Sequence, residues 1–267
     1  MIADGCTVDV VTPECVATFL PDFLLRAFRR PPTADEIDRY AELFAARVQE
    51  ADPPAEALRL VIEAVLVSPH FLYRSEFGSA GPGTTGALES YEVASRLSYL
   101  LWGTMPDDAL FADAVADRLR DRDGVAAAAA RMLADPRAQI GVVQLVTEWL
   151  GADRVEVVKK AAEVLEGLPP TMQEELEEET RHFIADAMLG EDPTLHTLLT
   201  STTTWANATV ASIYGVEGVT GAEFREIELD AQTRRGLLTQ PLLIAAHSKE
   251  SGFSVVQMGK FVREHVT

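Results

Sequence analysis

The sequence predicts an all-α protein, a multi-helix orthogonal bundle with at most one short strand pair. Apolar residues recur at the spacing of one helix face through most of the 267-residue chain. Proline, glycine and capping residues interrupt this pattern at intervals that match helix lengths. Only residues 224–229 (FREIEL) alternate apolar and polar side chains as a strand does.

Three helices are predicted at the start of the chain. The first has an apolar face over 19–27 and ends at the run RRPP. The second begins at Thr33, whose spacing to Glu36 is that of a capping box. The third covers 57–66 and ends before a Ser-Pro pair.

Residues 78–86 (GSAGPGTTG) form the clearest linker, because their glycines and proline leave no helix or strand pattern. The sequence therefore predicts two domains. A small helical subdomain covers 1–80 and includes the segment with Cys6 and Cys15, and a larger helical domain covers 88–267.

The stretch 94–110 (ASRLSYLLWGTMPDDAL) predicts a helix, a stop and a second helix. Gly103 suits the stop, because glycine enters the left-handed cap conformation at no steric cost. One face of the first helix is apolar, and we expect it to be buried. Its residues are Val93, Leu97, Leu100 and Leu101.

The second helix of this stretch is predicted to begin at Thr104, as its cap. Pro106 suits the first turn, where no backbone N–H is needed. Asp107 and Asp108 then place carboxylates at the positive end of the helix dipole.

Helices are predicted next near 106–119, 123–134 and 137–150. The last is apolar on almost all sides, so we expect it at the centre of the core. On this assignment, replacing Leu97 or Trp149 with Ala costs roughly 2–5 kcal/mol of stability.

The remaining chain predicts a long helix after Thr171, helical turns near 193–200 and 206–214, and a loop at 200–204 (TSTTT). Two final helices are expected near 233–246 and 254–265. The acidic run 174–179 is interpreted as a solvated helix face; a Ca²⁺ site is the alternative, but no EF-hand-like loop accompanies it.

The formal net charge of −19 argues against nucleic acid as a partner, because a polyanion repels the phosphate backbone. No apolar run reaches the roughly 20 residues that span a bilayer, so no membrane insertion is expected. The N-terminal segment has neither the basic start nor the apolar centre of a signal peptide. An acidic surface can serve solubility or recruit a basic partner.

Two histidines are the candidates for chemistry, and no catalytic residue is assigned. His182 ends a Glu-x-x-His at Glu179, a spacing that di-iron bundles use in two copies; the chain has one, which favours a surface histidine paired with its own helix. His247 opens a polar turn after a buried helix. The histidine spacings predict no metal site and no cofactor in this chain.

The three tryptophans are interpreted as core anchors whose indole N–H groups have acceptors. An exposed, coplanar set would instead stack on sugars. Cys6 and Cys15 are the two cysteines, and the residues alone leave two free thiols or a small disulfide loop equally open.

Six strings, in order over almost the whole chain, resemble the planctomycete-specific-domain family. They are RAFRRPPTADEIDRY, AVLVSPHFLYRSEFG, YEVASRLSYLLWGTMPDDAL, RMLADPRA, LLTSTTTWANATVASIYGV and RRGLLTQPLLIAAHSKESGFSVVQMGKFVREHV. The motif positions within them are Arg29, Arg30, Pro31, Ser68, Pro69, Trp102, Pro106, Asp107, Gly236, His247 and Gly259.

The resemblance implies a large exported bacterial protein, often fused to c-type cytochrome modules and sometimes to carbohydrate-binding ones. It implies an oxidising, periplasmic or cell-surface location, and hence a Cys6–Cys15 disulfide. It also implies that this chain is the central region, with haem c in regions outside it. Val255 and Met258 stand where the family has proline and arginine.

These observations lead to one expectation for function and two alternatives. The chain is expected to be a non-catalytic helical scaffold in an exported, cytochrome-linked redox or polysaccharide-processing assembly. Its partners would be other domains of a longer protein or a c-type cytochrome. The first alternative is part of a haem- or metal-dependent oxidoreductase whose cofactor region lies outside the chain, and the second is a glycan-binding module.

Overall fold

A computed structural model describes residues 11–78, 86–152, 169–249 and 252–266. Within these ranges 65% of residues are helical, counting 13 α-helices together with the 3₁₀ and π turns, and one two-stranded antiparallel sheet is present. The all-α class is therefore confirmed. No helix in the described ranges is long and apolar enough to cross a membrane.

The chain divides into two compact units, an N-terminal unit (Met1–Asp135) and a C-terminal unit (Pro136–Thr267). The subdomains expected from the sequence, 1–80 and 88–267, stay a prediction. Most of the glycine-rich linker that motivated them, residues 79–85, lies outside the described residues.

The N-terminal unit begins with four helices: α1 (Pro13–Phe28), α2 (Ala34–Gln49), α3 (Pro54–Leu66) and the short α4 (Pro69–Leu72). The capping box at Thr33 is confirmed, since the Thr33 hydroxyl accepts from the Glu36 N–H and the Glu36 carboxylate accepts from the Thr33 N–H. Apolar faces of α1, α2 and α3 bury a common core.

The same unit continues with α5 (Ser90–Trp102), α6 (Asp108–Val115), a 3₁₀ turn (Arg118–Arg120) and α7 (Arg122–Leu133). The predicted buried face of α5 is wrong for Leu100, whereas Val93, Leu97 and Leu101 are half-buried. Leu100 is 54% exposed, and the buried face consists of Ser90, Ala94, Ser95, Ser98 and Trp102. The small side chains of the buried face leave room for close packing against neighbouring elements. The leucines of α5 lie outside this face.

Gly103 ends α5 in the left-handed conformation (φ 67°), as predicted. The start of the next helix is different. Asp107, and not Thr104, is the cap, because its carboxylate accepts from the Leu110 N–H at 2.8 Å. Pro106 therefore precedes the cap and does not occupy the first turn.

The C-terminal unit begins with α8 (Ala138–Leu150), α9 (Met172–Leu189) and α10 (Leu195–Thr200). Strand β1 (Thr203–Ala206), α11 (Ala208–Tyr214) and β2 (Arg225–Glu228) follow. The last elements are a 3₁₀ turn (Leu237–Thr239), α12 (Pro241–Ala246), α13 (Val255–Phe261) and a π-helical turn (Val262–Val266).

The predicted strand is present as β2, but its partner lies in the threonine run interpreted as a loop. Thr204 pairs with Ile227 in the antiparallel register. The burial of β1 alternates, with Thr204 and Ala206 buried. Threonine favours the strand conformation, and its side chain can be buried when the hydroxyl has a hydrogen-bond partner.

Two helix predictions in this unit are wrong in extent or burial. The helix expected over 233–246 starts only at Pro241, because Gly236 (φ 58°) and a 3₁₀ turn precede it. Helix α8 is not buried on all sides. Leu145 and Trp149 are 57% and 37% exposed, while Val146 and Leu150 face the core.

Candidate functional sites

Arg29 joins the end of α1 to the end of α4. Its backbone adopts the left-handed conformation (φ 58°) that terminates α1, and the residue is 4% exposed. Its Nη2 donates to the carbonyl oxygens of His70, Phe71 and Tyr73 at 2.8, 3.0 and 3.1 Å. These carbonyls end α4, so the guanidinium satisfies backbone groups that the helix leaves unpaired.

Arg30 forms a two-point ion pair with Glu36. Its Nη1 and Nη2 donate to Oε2 and Oε1 at 2.9 and 2.7 Å, and His70 Nε2 lies 3.4 Å from Oε1. Arg30, helped by the Thr33 N–H and the charge of His70, lowers the pKa of Glu36 to about 2, against the opposing effect of burial.

The other motif residues of this unit also contact the chain itself. The Ser68 hydroxyl accepts from the His70 N–H, and Pro69 occupies the first turn of α4. The indole N–H of the buried Trp102 donates to the Met132 carbonyl at 3.1 Å. Asp107, besides capping α6, accepts from Arg131 at 2.9 Å.

Two cavities of about 180 and 370 Å³ lie beside α5 and share part of their lining. Four residues line both cavities: Arg74, Ser75, Glu92 and Ser95. Arg29 and Tyr91 line the smaller one, and Arg96 and Tyr99 line the larger one. The lining thus combines arginine, serine and aromatic side chains.

The C-terminal unit buries a carboxyl group. Glu179, on α9, is 0% exposed. Its Oε1 accepts hydrogen bonds from Tyr214 Oη at 2.5 Å and Thr204 Oγ1 at 2.8 Å, while Oε2 is buried with no partner in the described part of the chain. The prediction that the acidic run 174–179 is a solvated face is therefore wrong for its last member.

A chain of buried polar groups extends from this carboxyl group. Gln240 Nε2 donates to Thr204 Oγ1 at 3.2 Å, and Gln240 Oε1 accepts from Thr180 Oγ1 at 3.0 Å. The network links α9, β1 and the residue before α12. Buried polar groups that satisfy one another in this way fix how elements pack.

Burial raises the pKa of Glu179 to about 7, although hydrogen bonds from Tyr214 and Thr204 and the charge of Arg234 oppose the shift. The same burial, with the adjacent carboxylate, raises the pKa of Tyr214. The Arg234 guanidinium lies 5.4 Å from the Tyr214 ring centroid. The Glu179 carboxyl group can therefore exchange a proton near neutral pH, although its side chain has no exposed surface.

His182 does not join Glu179. Its Nε2 lies 3.1 Å from the Glu178 carboxylate one turn back, and its ring stacks on Trp205 and Phe224 with centroids 5.0 and 5.7 Å away. The expected partner on its own helix is therefore Glu178, but the imidazole is half-buried against aromatic side chains instead of lying free on the surface. Trp205 departs from expectation, because its indole N–H is buried without an acceptor in the described residues.

His247 contacts the end of α8. Its Nε2 lies 2.7 Å from the Leu150 carbonyl and therefore carries the hydrogen, since a carbonyl only accepts. Its ring stacks on Phe261 at 3.7 Å. Nearby in the chain, the Trp149 indole N–H donates to the His265 carbonyl at 2.9 Å. The contacts hold α8 to α13 and its π turn.

Two family models match the chain. One is PSD5, a protein family of unknown function (DUF1595), over residues 15–76, and the other is PSD4, also of unknown function (DUF1592), over residues 88–216. Residues 15–76 and 88–216 therefore match the models of two planctomycete-specific domains. No curated protein and no solved structure matches it.

The PSD5 match contains Arg29, Arg30, Ser68 and Pro69, whose contacts join α1, α2 and α4. The PSD4 match contains Trp102 and Asp107, and also Glu179, Thr204 and Tyr214 of the buried network. Gly236, His247 and Gly259 lie beyond both planctomycete-specific domains. The markers recognised in the sequence thus specify packing.

Some expectations for planctomycete-specific domains lie outside what the structure describes. Cys15 is in the first turn of α1, but Cys6 is among residues 1–10, so the disulfide stays a prediction. In the described ranges no group of three or more His, Cys, Asp or Glu side chains is placed to hold a metal ion. Haem c, export and a cytochrome partner also stay predictions.

Sequence reasoning missed the Glu179 network and the arginine-lined cavities. In the sequence, Glu179 stands out as the first residue of a Glu-x-x-His and as the last residue of an acidic run. Thr204 and Tyr214 carry no spacing signal toward it, since they lie 25 and 35 residues away. One available signal was the position of Glu179 beside Phe183 and Ile184 on the apolar stripe of α9.

Proposed function

We propose that this chain is a non-catalytic interaction module of a longer exported protein and that the module binds a redox or polysaccharide-processing partner. The partner that we propose is a basic c-type cytochrome. The carrying observation is that the motif residues bind the chain's own backbone. Arg29 binds the end of α4, Trp102 binds the Met132 carbonyl, and His247 binds the Leu150 carbonyl. Side chains used in this way specify a fold and leave recognition to the surface.

Charge supports a basic partner. The chain has 42 acidic residues against 23 basic ones, a formal net charge of −19. Such a field speeds the encounter with a positively charged protein and disfavours acidic ones, and added salt weakens it.

Exposed apolar side chains offer a centre for the contact. Within residues 66–77 of the N-terminal unit, Val67 and Leu72 are 70% and 61% exposed. Leu66, Tyr73 and Phe77 in the same segment are exposed as well. Interfaces typically combine such a centre with a polar, solvent-accessible rim.

The test is calorimetric titration of the chain with a basic c-type cytochrome and with an acidic one of similar size. We expect binding to the basic protein only, weakened at least tenfold between about 20 and 150 mM salt. A Val67→Ser/Leu72→Ser variant should bind at least tenfold more weakly. Leu145→Ser, equally exposed but in the C-terminal unit, is the matched control and should bind as the wild type does.

Equal binding of the acidic cytochrome, or none of the basic one at low salt, would contradict the proposal. Stoichiometric haem or metal in the purified chain, seen by absorption spectroscopy and metal analysis, would contradict the non-catalytic part of the proposal and favour the oxidoreductase alternative.

The proposal that the protein is exported rests on the family resemblance. Mass spectrometry of the protein purified from the bacterium tests it through the Cys6–Cys15 disulfide, which a reducing compartment would not maintain.

A further inference from the structure

We propose that the cavities beside α5 bind a small organic acid, whose carboxylate is held by Arg29 and Arg74. This site lies within the N-terminal unit and adjoins the proposed cytochrome contact, because Tyr73 and Phe77 also line the smaller cavity. Three observations carry it. Arg29 is a buried cation without a counter-ion among the described residues, Arg74 is a second such arginine on the same aromatic ring, and both line an open cavity.

Arg29 is the buried cation. It is 4% exposed, yet no carboxylate of the described residues lies within ion-pair distance of it. Only Nη2 has hydrogen-bond partners there, the three carbonyls at the end of α4. A buried charge is costly unless it is neutralised, and neutral carbonyls leave the positive charge in place. Because Arg29 lines the smaller cavity, an anion entering it meets this charge.

Arg74 is the second cation. It lines both cavities and makes no ion pair or hydrogen bond with any described residue. Its guanidinium carbon lies 4.4 Å from the Tyr99 ring centroid, and that of Arg29 lies 5.8 Å from the same centroid. Both guanidinium groups therefore contact the same ring, and both arginines line the smaller cavity, where one ligand can meet them.

The other charged side chains around the cavities already have partners among the described residues. Arg30 is paired with Glu36, and Arg96 lies 3.5 Å from Glu76. The Glu92 carboxylate accepts from the backbone N–H groups of Phe77, Gly78 and Glu89. Arg29 and Arg74 thus remain as the cations that an incoming anion can neutralise.

The lining favours an organic carboxylate over phosphate. Phe28, Tyr91 and the Tyr99 ring offer contact for an apolar or aromatic body, and the Ser75 and Ser95 hydroxyls offer polar contacts. A doubly charged phosphate would meet the Glu92 and Glu76 carboxylates at the wall, whereas a single negative charge meets less repulsion. Volumes of about 180 and 370 Å³ suit a ligand of single-ring size.

The test uses fluorobenzoate as the probe, followed by ¹⁹F NMR, in the full chain at low salt. We expect saturable binding that is competed by benzoate and not by benzamide, which has the same shape without the charge. Arg74→Gln should weaken binding at least tenfold. Arg39→Gln removes another exposed arginine without an ion pair in the described residues, and it should leave binding unchanged.

Arg74 is exposed, so its substitution does not threaten folding, and Ser95→Ala serves as a second variant that removes a cavity hydroxyl. Four results would overturn the proposal: no saturable binding of fluorobenzoate, equal binding by Arg74→Gln, competition by benzamide as strong as by benzoate, or tighter binding of inorganic phosphate than of benzoate. None of these results bears on the cytochrome titration, because that experiment contains no organic acid and its variants leave Arg29 and Arg74 in place.

Discussion

Tyr214 donates its phenolic hydrogen to Glu179 across 2.5 Å, and the carboxyl group it reaches has no exposed surface. The bond joins α11 to α9 within one planctomycete-specific domain. Burial disfavours the carboxylate and Tyr214 favours it, and the balance leaves the pKa of Glu179 at about 7. The C-terminal unit therefore contains a proton-binding group whose charge changes near neutral pH.

Glu179→Gln should change how the stability of the C-terminal unit depends on pH. The pKa of Glu179 is raised from 4.5 to about 7, so the folded state binds the proton more tightly than the unfolded state. Stability is then highest below pH 4.5 and falls as the pH rises toward 7, by about 3 kcal/mol from this group. Glutamine has no such titration, so the variant should gain relative to the wild type over that interval.

The free energy of unfolding of both proteins is measured as a function of pH, by hydrogen exchange of peptides from α9. The control is Glu177→Gln, an exposed carboxyl group on the same helix. If the Glu179→Gln and wild-type profiles stayed parallel between pH 4.5 and 7, the carboxyl group would not titrate as described.

Glu36→Gln should show the opposite dependence in the N-terminal unit. Arg30 lowers the pKa of Glu36 to about 2, so the ionised form stabilises the fold above pH 4.5 and this contribution is lost as the pH falls through 4.5 toward 2. Because Arg30 is partly exposed, we expect a loss of about 2 kcal/mol near neutral pH. The variant and the wild type should converge in acid.

Hydrogen exchange of α1 and α2 peptides measures this effect separately from that at Glu179. The matched control is Glu42→Gln, on the same helix, whose carboxylate forms no ion pair with the described residues. A difference between Glu36→Gln and the wild type that persisted unchanged at pH 2 would contradict the ionic origin of the stabilisation.

Trp102→Ala and Leu100→Ala should differ sharply although both residues are on α5. Trp102 is 1% exposed and its indole N–H donates to the Met132 carbonyl, so truncation leaves a cavity and removes a buried hydrogen bond. We expect a loss of about 3–5 kcal/mol. Leu100 is mostly exposed, and its truncation should cost less than about 0.5 kcal/mol. Thermal unfolding of both variants decides between this burial and the leucine face expected from the sequence.

The contrast on α5 shows how far sequence reasoning reaches. Apolar spacing located the helix, and Gly103 fixed its end within a residue, because backbone conformation there depends on local chemistry. Which face is buried depends on the shape of the neighbours. Ala94, Ser95 and Ser98 are buried because other elements approach closely, and no local pattern reports that.

The buried network was harder to foresee for a related reason. Thr204 lies in a polar run that resembles a loop, and it becomes a strand only through pairing with Ile227. Glu179 lies at the end of an acidic run, and its burial is possible only because Tyr214 and Thr204 supply hydrogen bonds from distant segments. Groups that depend on long-range partners leave little trace in spacing. The arginine-lined cavities are likewise formed by residues from distant segments, so spacing does not report them.

The two motif glycines of the C-terminal unit should respond oppositely to alanine. Gly236 has φ 58°, and an added Cβ would lie 2.2 Å from the backbone carbon of Leu199, so the backbone itself would have to move. Gly259 is inside α13, and an added Cβ would meet nothing within 4 Å in the described structure. Both positions match the family strings, but only the first has a steric reason that the structure shows.

We therefore expect Gly236→Ala to lose more than about 2 kcal/mol, from the strained backbone and the collision with Leu199. Gly259→Ala should be neutral or gain up to about 1 kcal/mol, since alanine is the better helix former. Chemical denaturation of the two variants beside the wild type checks both signs. Equal losses at the two positions would mean that Gly259 meets a neighbour, such as a partner chain, that packs against α13 and leaves no room for a side chain.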